Sequence, residues 1–140
     1  MKRKTSNEIS WVTPRIGITD MKTSKEHAES GTFMMINIAN EESIEQATNI
    51  PLEPFNIRKN QLHYIANWIE NSLLNKNGRV LVNCMYGIDS SPLAVAWYLY
   101  IKRGLTKDAA YEKIMRARPQ INVRWTWIRD SDPPLLIPDA

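Results

Sequence analysis

The sequence predicts an α/β fold: a central, largely parallel sheet of four or five strands flanked by helices on both faces. Three observations predict it. Short apolar, β-branched runs alternate along the chain with longer segments of helical period. The run RVLV at residues 79–82 has the character of a strand buried on both faces, and the nearly all-apolar stretch 92–103 reads as a helix buried in the centre of a domain. Finally, 140 residues that are 43% hydrophobic suit one domain with a real core and leave little room for two.

The elements follow in order. Residues 1–10 are polar and form a loose basic tip. Residues 11–19 (WVTPRIGIT) mix β-branched residues with Pro14 and Gly17, which reads as an edge strand whose proline sits where no ladder donor is needed. Residues 20–32 are polar, with short helical potential around 24–30. Residues 33–39 (FMMINIA) form a compact buried strand, and residues 50–52 a further short one before the proline-bearing loop 53–57. The clearest helix is 60–77: Leu62, Ile65, Ile69 and Leu73 recur at helical spacing with Trp68 beside them, and Asn77-Gly78 supplies a stop. Gly104 ends the buried helix, and Thr106 caps a last one that runs to about residue 117, before Pro119. The organisation is thus a tip at 1–10, a domain at 11–128 and a proline-containing tail at 129–140.

Charge and composition exclude several classes. Of 18 basic residues three are Lys2, Arg3 and Lys4; the other 15 balance the 15 acidic ones, so the folded part carries no basic footprint for nucleic acid. The longest apolar run, residues 93–101, is nine residues long, against the ~20 that a membrane-spanning helix needs. No charged-then-apolar leader opens the chain, and the single cysteine, Cys84, fits a reducing compartment. These features predict a cytoplasmic protein that keeps off membranes. No Cys/His cluster points to zinc, and neither a metal nor another cofactor is expected. His27 carries no partner signal, His63 reads as a partly buried or surface residue beside the apolar face of the 60–77 helix, and the tryptophans, Trp125 and Trp127 among them, read as core or rim residues. The sequence sets no oligomeric state.

The most informative placement is that of Cys84, between a buried strand and a buried helix. A loop joining a strand end to a helix N-terminus is a ready anion site: its amides converge, and the helix dipole adds about half a positive charge. The same field pushes a cysteine toward the thiolate, and Gly87 lets the backbone curl. The local pattern leaves two readings open, an anion site or a small buried residue ending a strand.

The arrangement VLVNCMYGIDSSP at residues 80–92 resembles the signature loop of the dual-specificity subgroup of the protein tyrosine phosphatases: His-Cys, two variable residues, Gly, two variable residues, then Arg and Ser or Thr. Other segments resemble the subgroup in the same order. TPRI at 13–16 is similar to its opening strand, INIA at 36–39 to its second, LTKDAA at 105–110 to a helix start, and RARPQIN at 116–122 to a segment R-x-R-P-x-I-x-P-N. The resemblance spans residues 11–128 and implies the phosphatase fold.

The resemblance also implies site residues. The anion-binding loop would comprise Asn83, Cys84, Met85, Tyr86, Gly87, Ile88, Asp89, Ser90 and Ser91, with Cys84 at the nucleophile position and Ser91 the hydroxyl that assists its departure. Here the sequence departs from the pattern. Asn83 stands where the family has His, and Ser90 where it has the Arg that forks onto phosphoryl oxygens. A serine hydroxyl donates one neutral bond where a guanidinium supplies a charged fork. Asp89 brings a negative charge to the loop, harmful to a bound phosphate if it faces inward. The general-acid loop, read at 53–60, holds no aspartate, and Glu53 is its sole carboxylate. Arg124 is a candidate surrogate cation, falling where the family has an Asn at the pocket rim; Arg116 and Arg118 read as partners of carboxylates or of a helix C-terminus. Two functions follow from the resemblance: a pseudophosphatase that binds or scaffolds a phosphoprotein or other protein partner, or a divergent cysteine-dependent phosphatase using Cys84 and Arg124. A third reading keeps the fold with a vestigial pocket.

Overall fold

The computed structural model describes residues 8–129. Five strands form one sheet in the order β1-β2-β5-β3-β4: β1 (Ser10–Thr13), β2 (Ile16–Thr19), β3 (Met34–Asn37), β4 (Thr48–Asn49) and β5 (Val80–Asn83). Only β1 runs antiparallel, to β2; the β2–β5, β5–β3 and β3–β4 pairs are parallel. Among the described residues four α-helices complete the fold, α1 (Met21–Ala28), α2 (Lys59–Leu73), α3 (Ser90–Lys102) and α4 (Lys107–Ala117), with one 3-10 turn at Trp125–Trp127.

The two faces of β5 show why the sheet is buried on both sides. Val80 and Val82 point into the larger core, built with α2, α3 and α4, while Leu81 points into a smaller one with Met21 and Ala28 of α1. Successive strand residues face opposite ways, so an unbroken apolar run is what such a strand requires. Helix α3 runs through the larger core with Leu93, Ala94, Val95 and Ala96 fully buried.

The structure amends the sequence expectations at four points. The stretch 11–19 is a hairpin, not one edge strand: Pro14 and Arg15 make its turn, β1 takes the edge and β2 lies inside. The Arg15 guanidinium reaches across to the carbonyls of Leu73 and Gly78 (3.0 and 2.7 Å) and of Asn75, satisfying acceptors left at the end of α2. Helix α1 starts earlier than its polar composition indicates, because Asp20 Oδ1 accepts from the Thr23 amide at 2.8 Å and caps it. The strand expected at 50–52 sits at Thr48–Asn49, although the amides of Ile50 and Leu52 still bond Asn37 and Ile38. Ser10, placed in the loose tip, is buried in β1. Residues 1–7 of that tip and 130–140 of the tail lie outside the described residues, while the Arg129 amide bonds the Ile57 carbonyl at 2.9 Å.

The parallel strands β2, β3 and β5 all end on one side, where Thr19, Asn37 and Asn83 stand in register. That edge is where ligands bind in parallel α/β sheets. Among the described residues no helix is long and apolar enough to cross a membrane.

Candidate active site

Cys84 follows β5 directly and is 6% exposed. Helix α3 begins at Ser90, two residues before Pro92, so both serines occupy its first turn, where amides have no helical acceptor. The Ser91 amide donates to Cys84 Sγ at 3.3 Å, and Ser91 Oγ lies 3.1 Å from the same sulfur.

The loop between them is held by its carbonyls. Six in succession are engaged: that of Cys84 by Asn83 Nδ2 (3.3 Å), of Met85 by the Met21 amide (3.0 Å), of Tyr86 and Gly87 by Arg118 (3.4 and 2.8 Å), of Ile88 by the Asn122 amide (3.0 Å), and of Asp89 by the Leu93 amide (3.2 Å). In a trans peptide the N–H points away from the C=O. With the carbonyls taken by the surroundings, the amides of 85–90 are turned the other way, an arrangement of successive backbone N–H groups of the kind that can offer donors to an anion. Gly87 makes the curl possible. Its φ is +70°, and a Cβ there would lie 2.7 Å from both the Thr19 carbonyl oxygen and Arg118 Nη2.

Arg118 is the residue that sequence reasoning misplaced. It follows α4, but its side chain turns into the interior and is fully buried beneath the loop. Nε bonds the Gly87 carbonyl, Nη2 that of Tyr86, and Nη1 the Glu8 carbonyl (3.0 Å) and Ser10 Oγ (2.9 Å). Burial lowers its pKa from the ordinary value, opposed by the nearby charges of Asp20, Cys84 and Glu8. Arg116 is the surface partner of Glu112 that the sequence suggests.

Asn83 is fully buried, and its side chain leaves the cleft for a polar network. Nδ2 donates to Asn37 Oδ1 (2.9 Å), Oδ1 accepts from Ser24 Oγ (2.9 Å), and Asn37 passes the chain on to Asn49 (2.8 Å). Asn83 therefore spends its side chain on the structure around the strand ends.

The cleft above Cys84 holds about 60 Å³ and is lined by Met85, Tyr86, Ile88, Asp89 and Ser90 of the loop and by Ala39, Asn40, Glu41, Leu52, Pro54 and Trp127 around it. Among the described residues no lysine or arginine lines it, and two carboxylates do. Glu41 escaped sequence reasoning because the segment after β3 folds over the strand ends, which no local pattern announces. Glu53 is not in the lining: it is exposed, and Asn56 Nδ2 donates to its Oε1 at 3.3 Å. The Asn56 amide bonds the Glu53 carbonyl, with Pro54 and Phe55 between them and Phe55 at φ +67°. That is the pattern of a type II turn carrying a phenylalanine where glycine is preferred; the ring packs on Trp127 at 4.7 Å.

Asp89 and Arg124 meet at the edge of the cleft. Asp89 Oδ1 accepts from Arg124 Nε (2.8 Å) and from Asn122 Nδ2 (3.0 Å), and the guanidinium lies 4.8 Å from the centre of the Trp127 ring. The Arg124 amide donates to the Tyr111 hydroxyl at 3.1 Å. Burial, the largest cause, pushes the Tyr111 pKa up to about 12, with Asp89 acting in the same direction and Arg124 against it.

This sheet order and loop define a class. The chain has the fold of the protein tyrosine phosphatases, in its dual-specificity form. It superposes on DUSP15 with a TM-score of 0.71 at 22% identity, covering 86% of this chain and 83% of that one. Human DUSP28 matches with 0.68 at 19%, covering 85% and 86%. A human tyrosine phosphatase-like serine/threonine/tyrosine-interacting protein matches with 0.68 at 15%, covering 86% and 91%. No family model matches the sequence, and no curated protein matches it.

Proposed function

We propose that the chain is a pseudophosphatase: a dual-specificity phosphatase fold that binds or scaffolds a protein partner without efficient phosphoryl transfer. The observation that carries this reading is the lining of the cleft over Cys84, which has Ser90 where the resemblance implies the phosphoryl-clasping arginine, no cation among the described residues, and the carboxylates Glu41 and Asp89. The outward-turned carbonyls and the first turn of α3 keep a concavity of amides suited to a weakly held anion. Transfer asks for more. Charge that develops on the phosphoryl oxygens needs a preorganised cation, and deleting even one oriented donor in such a site lowers turnover by roughly 10²–10³. A general acid is needed too, and Glu53 is turned away in its type II turn. The divergent-phosphatase alternative needs Arg124 over Cys84, whereas Arg124 is engaged by Asp89 and stacked on Trp127. The matched phosphatase-like interacting protein is a precedent for this fold in a protein named for interaction. The lone thiol fits the cytoplasm as the site of action.

The test is hydrolysis of p-nitrophenyl phosphate by the whole protein. No turnover above that of C84S is expected, and the double change N83H/S90R should confer tungstate binding. Brisk hydrolysis by the parent chain, abolished in C84S, would overturn the reading.

A further inference from the structure

Arg124 offers a second role beside that of a surrogate cation. A guanidinium has two edges that match an oxyanion, one formed by Nε with an Nη and one by the two Nη groups. Asp89 takes Nε. Among the described residues nothing accepts from Nη1 or Nη2, and the side chain remains 34% exposed. Its position is fixed from three sides: Asp89 holds Nε, the Trp127 ring lies along its face, and the Tyr111 hydroxyl accepts from its amide. Asp89 and Trp127 themselves line the cleft, while Arg124 does not. The open edge therefore stands beside the cleft and outside it.

We propose that Arg124 is an oxyanion contact on the rim of the cleft, recognising a carboxylate or phosphoryl group of a bound peptide through its two Nη groups. The inference rests on the binding-module reading above and gives it a partner chemistry: a segment bearing an acidic or phosphorylated side chain. Preorganisation is what makes the contact more than a surface charge. An ordinary exposed arginine loses rotamer freedom on binding, and here Asp89 and Trp127 have already removed it. Asn122 Nδ2 shares the charge of Asp89 on the same oxygen, which softens the repulsion between that carboxylate and an arriving anion.

The experiment is a titration of the whole ¹⁵N-labelled protein, followed by NMR, with two probes: acetyl-pentaglutamate amide and phenyl phosphate. Saturable shifts are expected at the Arg124 Nε–H, the Asn122 side-chain amide and the Trp127 indole. Affinity should fall about tenfold in R124Q and several-fold in R124K, which keeps the charge and loses the fork. R116Q, a surface change of equal charge, should bind as the parent does. Saturation by pentaglutamate alone identifies a carboxylate source, and by phenyl phosphate alone a phosphoryl source. Saturation by neither overturns the proposal. So does an affinity unchanged in both R124Q and R124K, with shifts confined to the amides of 85–90. If that result comes with no phosphatase turnover, the rim contact falls and the pseudophosphatase reading stands; turnover by the parent would remove both.

Discussion

Replacing Arg118 with methionine tests whether the concavity over Cys84 is built from beneath. Methionine fills much of the apolar volume and removes every donor. Three acceptors lose their partner, the carbonyls of Tyr86 and Gly87 and Ser10 Oγ, while the Glu8 carbonyl keeps the Thr19 hydroxyl at 3.1 Å. At about 1 kcal/mol for each buried acceptor left unsatisfied, the loss is about 3 kcal/mol, and breaking buried charged pairs elsewhere costs about 3–5 kcal/mol. That is a large share of the roughly 5–15 kcal/mol by which a domain of this kind is stable. With a urea slope of about 1.5 kcal/mol per molar, the unfolding midpoint of R118M should fall by about 2–3 M. A second readout is local. Cys84 is shielded by the loop, so its reaction with a thiol reagent in native buffer should be at least about tenfold faster once the loop opens more often. A midpoint within about 0.5 M of the parent, with unchanged thiol reactivity, would refute the argument.

Two further outcomes follow from the same geometry. G87A forces a Cβ to 2.7 Å from the Thr19 carbonyl oxygen and Arg118 Nη2 at φ +70°; with about 1–2 kcal/mol for the left-handed backbone and about as much for the clash, its melting temperature should drop by roughly 10 °C, and a drop under about 3 °C would contradict the contact. Tyr98 and Tyr111 both have pKa values pushed up to about 12 from 10.0, chiefly by burial, and the Tyr98 hydroxyl donates to Glu70 at 2.8 Å. Between pH 10 and 12 the unfolded chain therefore releases protons that the folded one retains, so stability intact below pH 10 declines as pH rises through 12, by about 2–3 kcal/mol for each tyrosine. Urea midpoints measured from pH 9 to 12 should show this fall, and Y98F should remove about half of it; a level profile in the parent would rule the coupling out.

The fold was legible because its signals are local. Val80, Leu81 and Val82 need apolar partners on both faces, and the helical spacing of Leu62, Ile65, Ile69 and Leu73 defines the buried side of α2. The hairpin was harder: Pro14 reads equally as an edge residue or a turn residue, and the difference lies in pairing with Ile18 and Gly17, which tertiary structure decides. At the site, residues 83–91 stand out in the sequence as a loop between a buried strand and a buried helix, and Ser90 falls where the resemblance implies an arginine. What the sequence hides is approach from a distance. Arg118 turns under a loop 31 residues earlier, and Glu41 arrives on a segment folded across the strand ends. Asp89 gave no sign of its direction, which depends on Asn122 and Arg124 more than thirty positions away.

The clasp formed by Arg118 has a consequence for synthesis. One guanidinium ties Gly87 to Glu8 and Ser10, spanning 110 residues of separation. On a ribosome the hairpin and most of the sheet emerge long before Arg118 leaves the exit tunnel, so the pocket over Cys84 is among the last features to be sealed. A partner that reads the finished rim would therefore engage only chains translated past that clasp, and nascent fragments ending earlier would pass unrecognised.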